Sequence, residues 1–262
     1  MFTIVTISYN QAAFVRQTIE SILQQRREGV DVEYIVVDPG STDGSREILN
    51  EYKASIDQLI LEKDAGPADG LRKGLARSSG KLLGFLNSDD YLMPGALRAA
   101  QSAFMEDPTL DVYLSRGLCY DERSSQVSLI QPSTFSTRRF CCGAATFSQP
   151  STYFRSSAYR IAGGINPANR CSWDGELLLK MHSAGARFAV FPTISSVFRV
   201  HDGSISGTNS LEKIYRAEMR ALSIQSIGRV PGRLESTVWR GLGVCERSVR
   251  AAAQVFLRRS PN

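Results

Sequence analysis

A chain of 262 residues with 42% apolar content can build one full hydrophobic core, which excludes a disordered or fibrous protein. A net charge of +5 at pH 7 is compatible with an anionic partner without identifying one, and gives no reason to expect nucleic acid. Five cysteines, an odd number without metal-ligand spacing, point to a reducing, cytoplasmic setting.

Phe2–Ile7 is β-branched and apolar and reads as a buried strand running into Ser8-Tyr9-Asn10. A helix is expected over residues 11–27, with Phe14, Ile19, Ile22 and Leu23 near helical spacing. Val32–Val37 is a second buried strand. It ends at Asp38, and the turn-rich Pro39-Gly40-Ser41-Thr42-Asp43-Gly44-Ser45 can cap the helix that follows. A third strand near residues 58–61 ends at Glu62-Lys63-Asp64-Ala65-Gly66-Pro67, and a helix over residues 68–78 stops at Gly80. The run Leu82-Leu83-Gly84-Phe85-Leu86 is apolar throughout, as in a strand buried on both faces, then turns abruptly into Asn87-Ser88-Asp89-Asp90.

Strand–helix alternation through four strands predicts an α/β fold with a mostly parallel central sheet, flanked by helices and wound by right-handed crossovers. Each strand ends in a polar loop, at Asn10, Asp38, Asp64 and Asp89-Asp90, which describes a site on the carboxyl edge of the sheet. Two adjacent carboxylates repel unless a cation sits beside them, and oxygen ligands suit Mg2+ or Mn2+.

After Pro94 the pattern predicts a helix carrying Leu97, Ala100 and Phe104, then a strand over residues 112–118. Residues 121–148 read as loops with one strand at 127–130. A short strand at 152–154, a short helix from Ser156 to Gly163-Gly164 and a loop over 165–172 lead into Trp173-Asp174-Gly175-Glu176, which opens an amphipathic helix. Two strands are expected at 187–191 and 196–200, before His201-Asp202-Gly203-Ser204-Ile205-Ser206. From Leu211 onward helix formers dominate, and ten Lys or Arg stand against four Asp or Glu. Leu234, Val238, Leu242, Cys245, Val249, Val255 and Phe256 could form one apolar helical face. No signal peptide is visible, and no apolar run approaches the roughly 18 residues of a membrane span.

In order and spacing, several of these segments resemble the inverting glycosyltransferases of family two, which have the A-type fold. They are Ser8-Tyr9-Asn10, Asp38 with Ser41-Thr42-Asp43-Gly44, Asp64-Ala65-Gly66 with Asp69, Asn87-Ser88-Asp89-Asp90, Gly163-Gly164, Trp173-Asp174, and the group Arg199, His201 and Ser204. The resemblance is nearest to bacterial enzymes that build surface polysaccharides. It implies a catalytic domain over residues 1–205, with a nucleotide-binding half (1–110) and an acceptor half (111–205), followed by a basic helical C-terminal extension (206–262). The reaction implied is metal-dependent transfer of a sugar from a nucleotide-sugar donor, by family habit a UDP-sugar, to a hydroxyl of a glycan or lipid-linked acceptor. Two departures stand out. Pro39 replaces a common Gly, and Gly70-Leu71-Arg72 replaces a common Ala-x-Asn, leaving Arg72 to approach a phosphate or face solvent.

The same resemblance implies roles. Ser8, Tyr9, Asn10, Asp38, Asp64 and Asp89 belong to the nucleotide pocket, with Tyr9 and Asp38 near the base and Asp89 at the ribose or metal shell. Asp90 binds the metal, Mn2+ or Mg2+, with His201 as a further candidate ligand. Arg199 is a candidate phosphate contact. Asp174 is the candidate general base, taking a proton from the acceptor hydroxyl on the face opposite the leaving group. Its rival is Glu176, and its purely structural alternative is a helix cap. Trp173 either stacks on a sugar or fills the core. The basic tail either packs on the catalytic domain or rests on an anionic, inner-face membrane surface. The main competing function is a nucleotide-binding scaffold with a decayed site. A dinucleotide-dependent oxidoreductase or a nucleotidyltransferase would need a Gly-rich turn after the first strand, which is missing.

Overall fold

The computed structural model describes residues 1–204 and 211–259, with side chains as far as residue 246. Ile205 and Ser206, the expected end of the catalytic part, lie outside the described residues, as do the side chains of Val249, Val255 and Phe256.

The first half of the chain alternates as its pattern requires: β1 (Phe2–Ile7), α1 (Val15–Arg27), β2 (Val32–Val37), α2 (Ser45–Glu51), β3 (Gln58–Ile60), α3 (Pro67–Ala76) and β4 (Leu82–Asn87). These four strands are parallel, in the order β3-β2-β1-β4. Their register positions the site. Ile7 lies opposite both Val37 and Asn87, so β1, β2 and β4 end level and present the segments after them at one edge. Helix α3 lies close on β1 at Gly74, where a Cβ would stand 2.4 Å from a Val5 methyl.

Beyond β4 the sheet becomes mixed. The chain continues through β5 (Tyr91–Leu92), α4 (Ala96–Glu106), β6 (Val112–Asp121), β7 (Gln126–Ile130), α5 (Thr137–Cys141), β8 (Thr152–Arg155), α6 (Ser156–Ile161), α7 (Trp173–Ser183) and β9 (Phe188–Val200). Strand β8 runs antiparallel to β4 and β6, β6 runs parallel to β9, β9 pairs antiparallel with β5, and β7 folds back on β6. Side-chain alternation gives the sheet two cores. Val5, Ile35, Val37, Leu83 and Phe85 pack toward α3 and α7, while Ile4, Tyr34, Val36, Leu82 and Leu86 pack toward α1 and α4.

Four details differ from expectation, with physical reasons for three. Helix α1 starts at Val15 rather than at residue 11, because the Gln11 and Ala12 amides donate instead to Ser45 Oγ and Asp43 Oδ2. The two strands expected at 187–200 are one strand, and register shifts opposite Ser115, Arg116 and Gly117 absorb the interruption near Pro192. Helix α5 forms where a loop was expected, with the Ser136 hydroxyl accepting from the Arg139 amide as its cap. The two-residue strand β5 was not expected either.

The C-terminal region is helical, as α8 (Glu212–Ile227) and α9 (Arg233–Arg259). Helix α8 is part of the core rather than an appendage: Leu222 is buried, and Met219 and Ile227 pack on the same cluster as α7. Helix α9 docks on α5 through Glu246, which pairs with Arg139, and through Trp239, whose ring lies under the Arg139 guanidinium. Its Leu234, Val238, Leu242 and Cys245 are exposed. Among the described residues, no helix is long and apolar enough to cross a membrane.

Candidate active site

The carboxyl ends of β1, β3 and β4, the 147–149 loop and the start of α7 surround a cleft of about 930 Å³. Of the expected nucleotide residues, Ser8, Tyr9, Asp64 and Asp89 line it. Tyr9 is 61% exposed, a ring free to cover a flat ligand. Asp64 receives the Gly66 amide at 2.9 Å, and burial pushes its carboxyl above the ordinary range.

Asn10 and Asp38 are turned to structural work instead. Asn10 adopts φ 53°, and its side chain accepts from the Thr42 amide, tying the first loop to the second. Asp38 is fully buried and does not line the cleft. Its carboxylate accepts from the Gly40 and Ser41 amides, the Ser41 hydroxyl and Arg46. Burial alone would raise its pKa, but these bonds outweigh it and hold the group below the usual carboxylate range. Asp38 therefore shapes the loop that carries Pro39 and Gly40 to the cleft wall. Arg72 faces solvent and pairs with Asp69 at 2.8 Å.

The two adjacent carboxylates part company. Asp89 faces the cleft, where its Oδ2 lies 3.1 Å from His201 Nε2. Asp90, the expected metal ligand, points into the protein: it is fully buried, and its Oδ1 accepts from the Arg199 amide at 2.8 Å. Burial, and then the charge of Asp89, push its carboxyl well above the ordinary range. Arg199, the candidate phosphate contact, borders the cleft. Its guanidinium donates to the Asp89 carbonyl and to Gln17 and lies over the Phe14 ring at 4.5 Å, so it clamps the acidic turn.

A divalent ion fits this corner through Asp89 and His201, one hard oxygen and one imidazole nitrogen. Among the described residues no group of three His, Cys, Asp or Glu is gathered for a metal. Two protein donors leave the remaining positions to diphosphate and water, the usual arrangement for ions that act on phosphates. The Gly203 amide donates to His201 Nδ1 at 3.2 Å, which makes Nε2 the protonated nitrogen that donates to Asp89. Ligation through Nε2 requires the other tautomer and release of the Gly203 contact.

Asp174 lines the same cleft at the start of α7. Burial raises its pKa to about 6, opposed by backbone hydrogen bonds such as that from Gly175, and among the described residues no cation pairs with it. A carboxylate ionising near 6 is suited to accepting a proton near neutrality. Glu176, its rival, is buried in a network with Asn166, Asn169 and Lys180 and does not line the cleft. Trp173 fills the core, 8% exposed, and also borders the cleft.

Sequence reasoning missed Glu218, on α8. Its carboxylate accepts from the Arg170, Cys171 and Ser172 amides and from the Ser172 hydroxyl, immediately before Asp174. Nothing near Asp174 in sequence signals a partner more than forty residues away. Glu218→Ala is expected to lower Tm by roughly 3–8 °C in calorimetry, since several donors lose their acceptor. It should also slow the reaction without altering nucleotide affinity.

A family model for glycosyl transferase family 2 matches residues 3–161. The chain belongs to that family. Among relatives of this family 2 glycosyltransferase is an uncharacterized glycosyltransferase of Mycobacterium tuberculosis, 28% identical over 180 residues, covering 68% of this chain and 67% of the relative. A Bacillus subtilis glycosyltransferase named for teichuronic acid biosynthesis, TuaG, is 38% identical over 110 residues, covering 40% of this chain and 42% of the relative. Solved structures share the fold. S. aureus TarS in complex with UDP-GlcNAc superimposes with a TM-score of 0.68 at 17% identity, over 93% of this chain and 71% of that one. The mannosyltransferase PcManGT of Pyrobaculum calidifontis, with GDP-Man and Mn2+, gives 0.65 at 17% identity, over 96% and 75%. The expected A-type fold is the one observed.

Proposed function

We propose that this glycosyltransferase transfers a sugar, with inversion, from a nucleoside-diphosphate sugar to a hydroxyl of a glycan or lipid-linked acceptor. The observation that carries this reading is one cleft bordered both by Asp89, which His201 contacts, and by the Asp174 carboxyl, which has no cationic partner among the described residues.

Asp89 and His201 would hold a Mn2+ or Mg2+ ion, which would offset the diphosphate charge as the nucleotide leaves. Tyr9 and the Pro39-Gly40 turn flank the base, and Asp64 lies on the same wall. Asp174 accepts the acceptor's hydroxyl proton, and its carboxylate stands on the face opposite the leaving group, which inverts the anomeric centre. Arg199 and Asp90 keep the Asp89 turn rigid. A decayed scaffold would have no use for a cleft-facing carboxyl kept free of cations at the cost of a raised pKa.

A role in bacterial polysaccharide synthesis is supported by the name of the Bacillus subtilis relative. The exposed apolar stripe of α9, on a segment rich in arginine, supports contact with an anionic membrane surface where lipid-linked acceptors reside.

The test is a thermal-shift titration with UDP, GDP and dTDP, each with and without Mn2+. A ligand that binds only the folded state raises its stability by about 2.7 kcal/mol at one hundred times Kd. One nucleotide should give a shift that grows with Mn2+. A well-folded sample that responds to none of them would overturn the proposal.

A further inference from the structure

Buried polar atoms without a partner are rare, and each needs an explanation. Among the described residues, five such atoms belong to side chains that border the cleft: Ser8 Oγ, Asn87 Oδ1, Ser148 Oγ, Gln149 Oε1 and Arg199 Nε. Ser148 and Gln149 stand apart from the loops after β1, β2 and β3. The Gln149 amide is oriented without ambiguity. Its Nε2 donates to the Phe85 carbonyl at 2.6 Å, and a flipped amide would set oxygen against oxygen. Its Oε1 is therefore a fixed, empty acceptor. Gln149 and Asp174 also border one small cavity together with Phe85, which sets Gln149 between the end of β4 and the proposed base.

Ser148 is held just as deliberately. Its hydroxyl occupies the space a Cβ at Gly117 would take, 2.4 Å from that position. Its carbonyl is fixed by the Ser151 amide and the Thr152 hydroxyl, yet the hydroxyl itself meets nothing. Two consecutive residues of the cleft wall, which Asp89 and Asp174 also border, thus carry a rigid carbonyl-type acceptor and an adaptable hydroxyl.

We infer that Gln149 and Ser148 form the donor-sugar subsite and select a sugar that presents a hydroxyl or amide N–H, not a carboxylate, to Gln149 Oε1. This rests on the proposed transferase reading. The chemical reason is that an amide oxygen can be satisfied only by a donor, so a carboxylate or a deoxy position there leaves it desolvated and unpaired. Selection by an unmet buried acceptor is stronger than selection by fit alone.

The experiment separates the sugar from the nucleotide. Calorimetric titrations with Mn2+ compare UDP with UDP-GlcNAc and UDP-glucose, and GDP with GDP-mannose, on the wild type, Ser148→Ala and Gln149→Met. Ser148→Ala removes a hydroxyl that makes no internal bond, so its fold should be unaffected. The expected result is unchanged nucleoside-diphosphate affinity in both variants. The affinity gained from the preferred sugar should fall roughly 2- to 10-fold in Ser148→Ala and at least as much in Gln149→Met. If the variants bind every nucleotide sugar as the wild type does, or lose the bare diphosphate equally, the subsite is elsewhere although the transferase reading stands. If no nucleoside diphosphate binds the wild type, the transferase reading fails and this subsite with it.

Discussion

Asp174→Asn is expected to reduce sugar transfer by 10²–10⁴-fold, about the range a general base contributes, while leaving nucleoside-diphosphate binding intact and the protein more stable. The change is isosteric, and an asparagine oxygen can still accept the Gly175 amide that Asp174 receives at 2.7 Å. What is lost is the charge. The stability effect follows from linkage. The folded carboxyl ionises near 6 and an unfolded aspartate near 3.9, so the folded chain holds an extra proton between those values. Stability therefore falls as pH rises through that window, and the whole penalty is present above pH 6. Removing the ionisable group should raise Tm by a few degrees at pH 7.5 and leave it nearly unchanged at pH 4. The wild-type rate should rise with pH through about 6, and that limb should vanish from the residual activity of the variant. Paired initial-rate and calorimetry measurements across pH 4–8 check both halves. A variant that keeps wild-type rates would remove Asp174 from the chemistry. One that loses activity and stability together would make it a helix cap.

That combination of costs explains why the site was only partly legible in the sequence. The apolar runs of β1, β2 and β4 forecast buried parallel strands because no other environment suits them, and their level ends followed from the βαβ winding. Residue type alone could not separate a carboxylate offered to a ligand from one consumed by its own loop. Asp38 illustrates this: all four of its donors come from Gly40, Ser41 and Arg46, within eight residues, and turn chemistry was the only hint. Gln149 sat just past a stretch that read as irregular, in no expected element, and Glu218 reaches Ser172 from another helix, a contact that only the tertiary fold creates.

The clearest case is Asp89 against Asp90, and it makes the second large prediction. Leu83 and Phe85 face the core shared with α7, whereas Leu82 and Leu86 face the core shared with α1. That period of two carries Asn87 toward the cleft, and in the turn that follows Ser88 and Asp89 also border it while Asp90 points into the protein. Asp89→Asn should therefore abolish the Mn2+-dependent part of nucleoside-diphosphate binding. The loss should reach at least the roughly 10- to 100-fold seen when even an indirect metal partner is removed. The fold should survive, because an asparagine oxygen still accepts from His201 Nε2. Asp90→Asn keeps the acceptor for the Arg199 amide and should leave the Mn2+ dependence in place, whereas Asp90→Ala strands that amide and should lower Tm instead. Titrations with and without Mn2+ on the three variants decide the matter. The reverse ranking, with Mn2+ dependence lost in Asp90→Asn and kept in Asp89→Asn, would mean that ligand binding turns the second carboxylate outward and that the acidic turn is not the rigid element Arg199 makes it here.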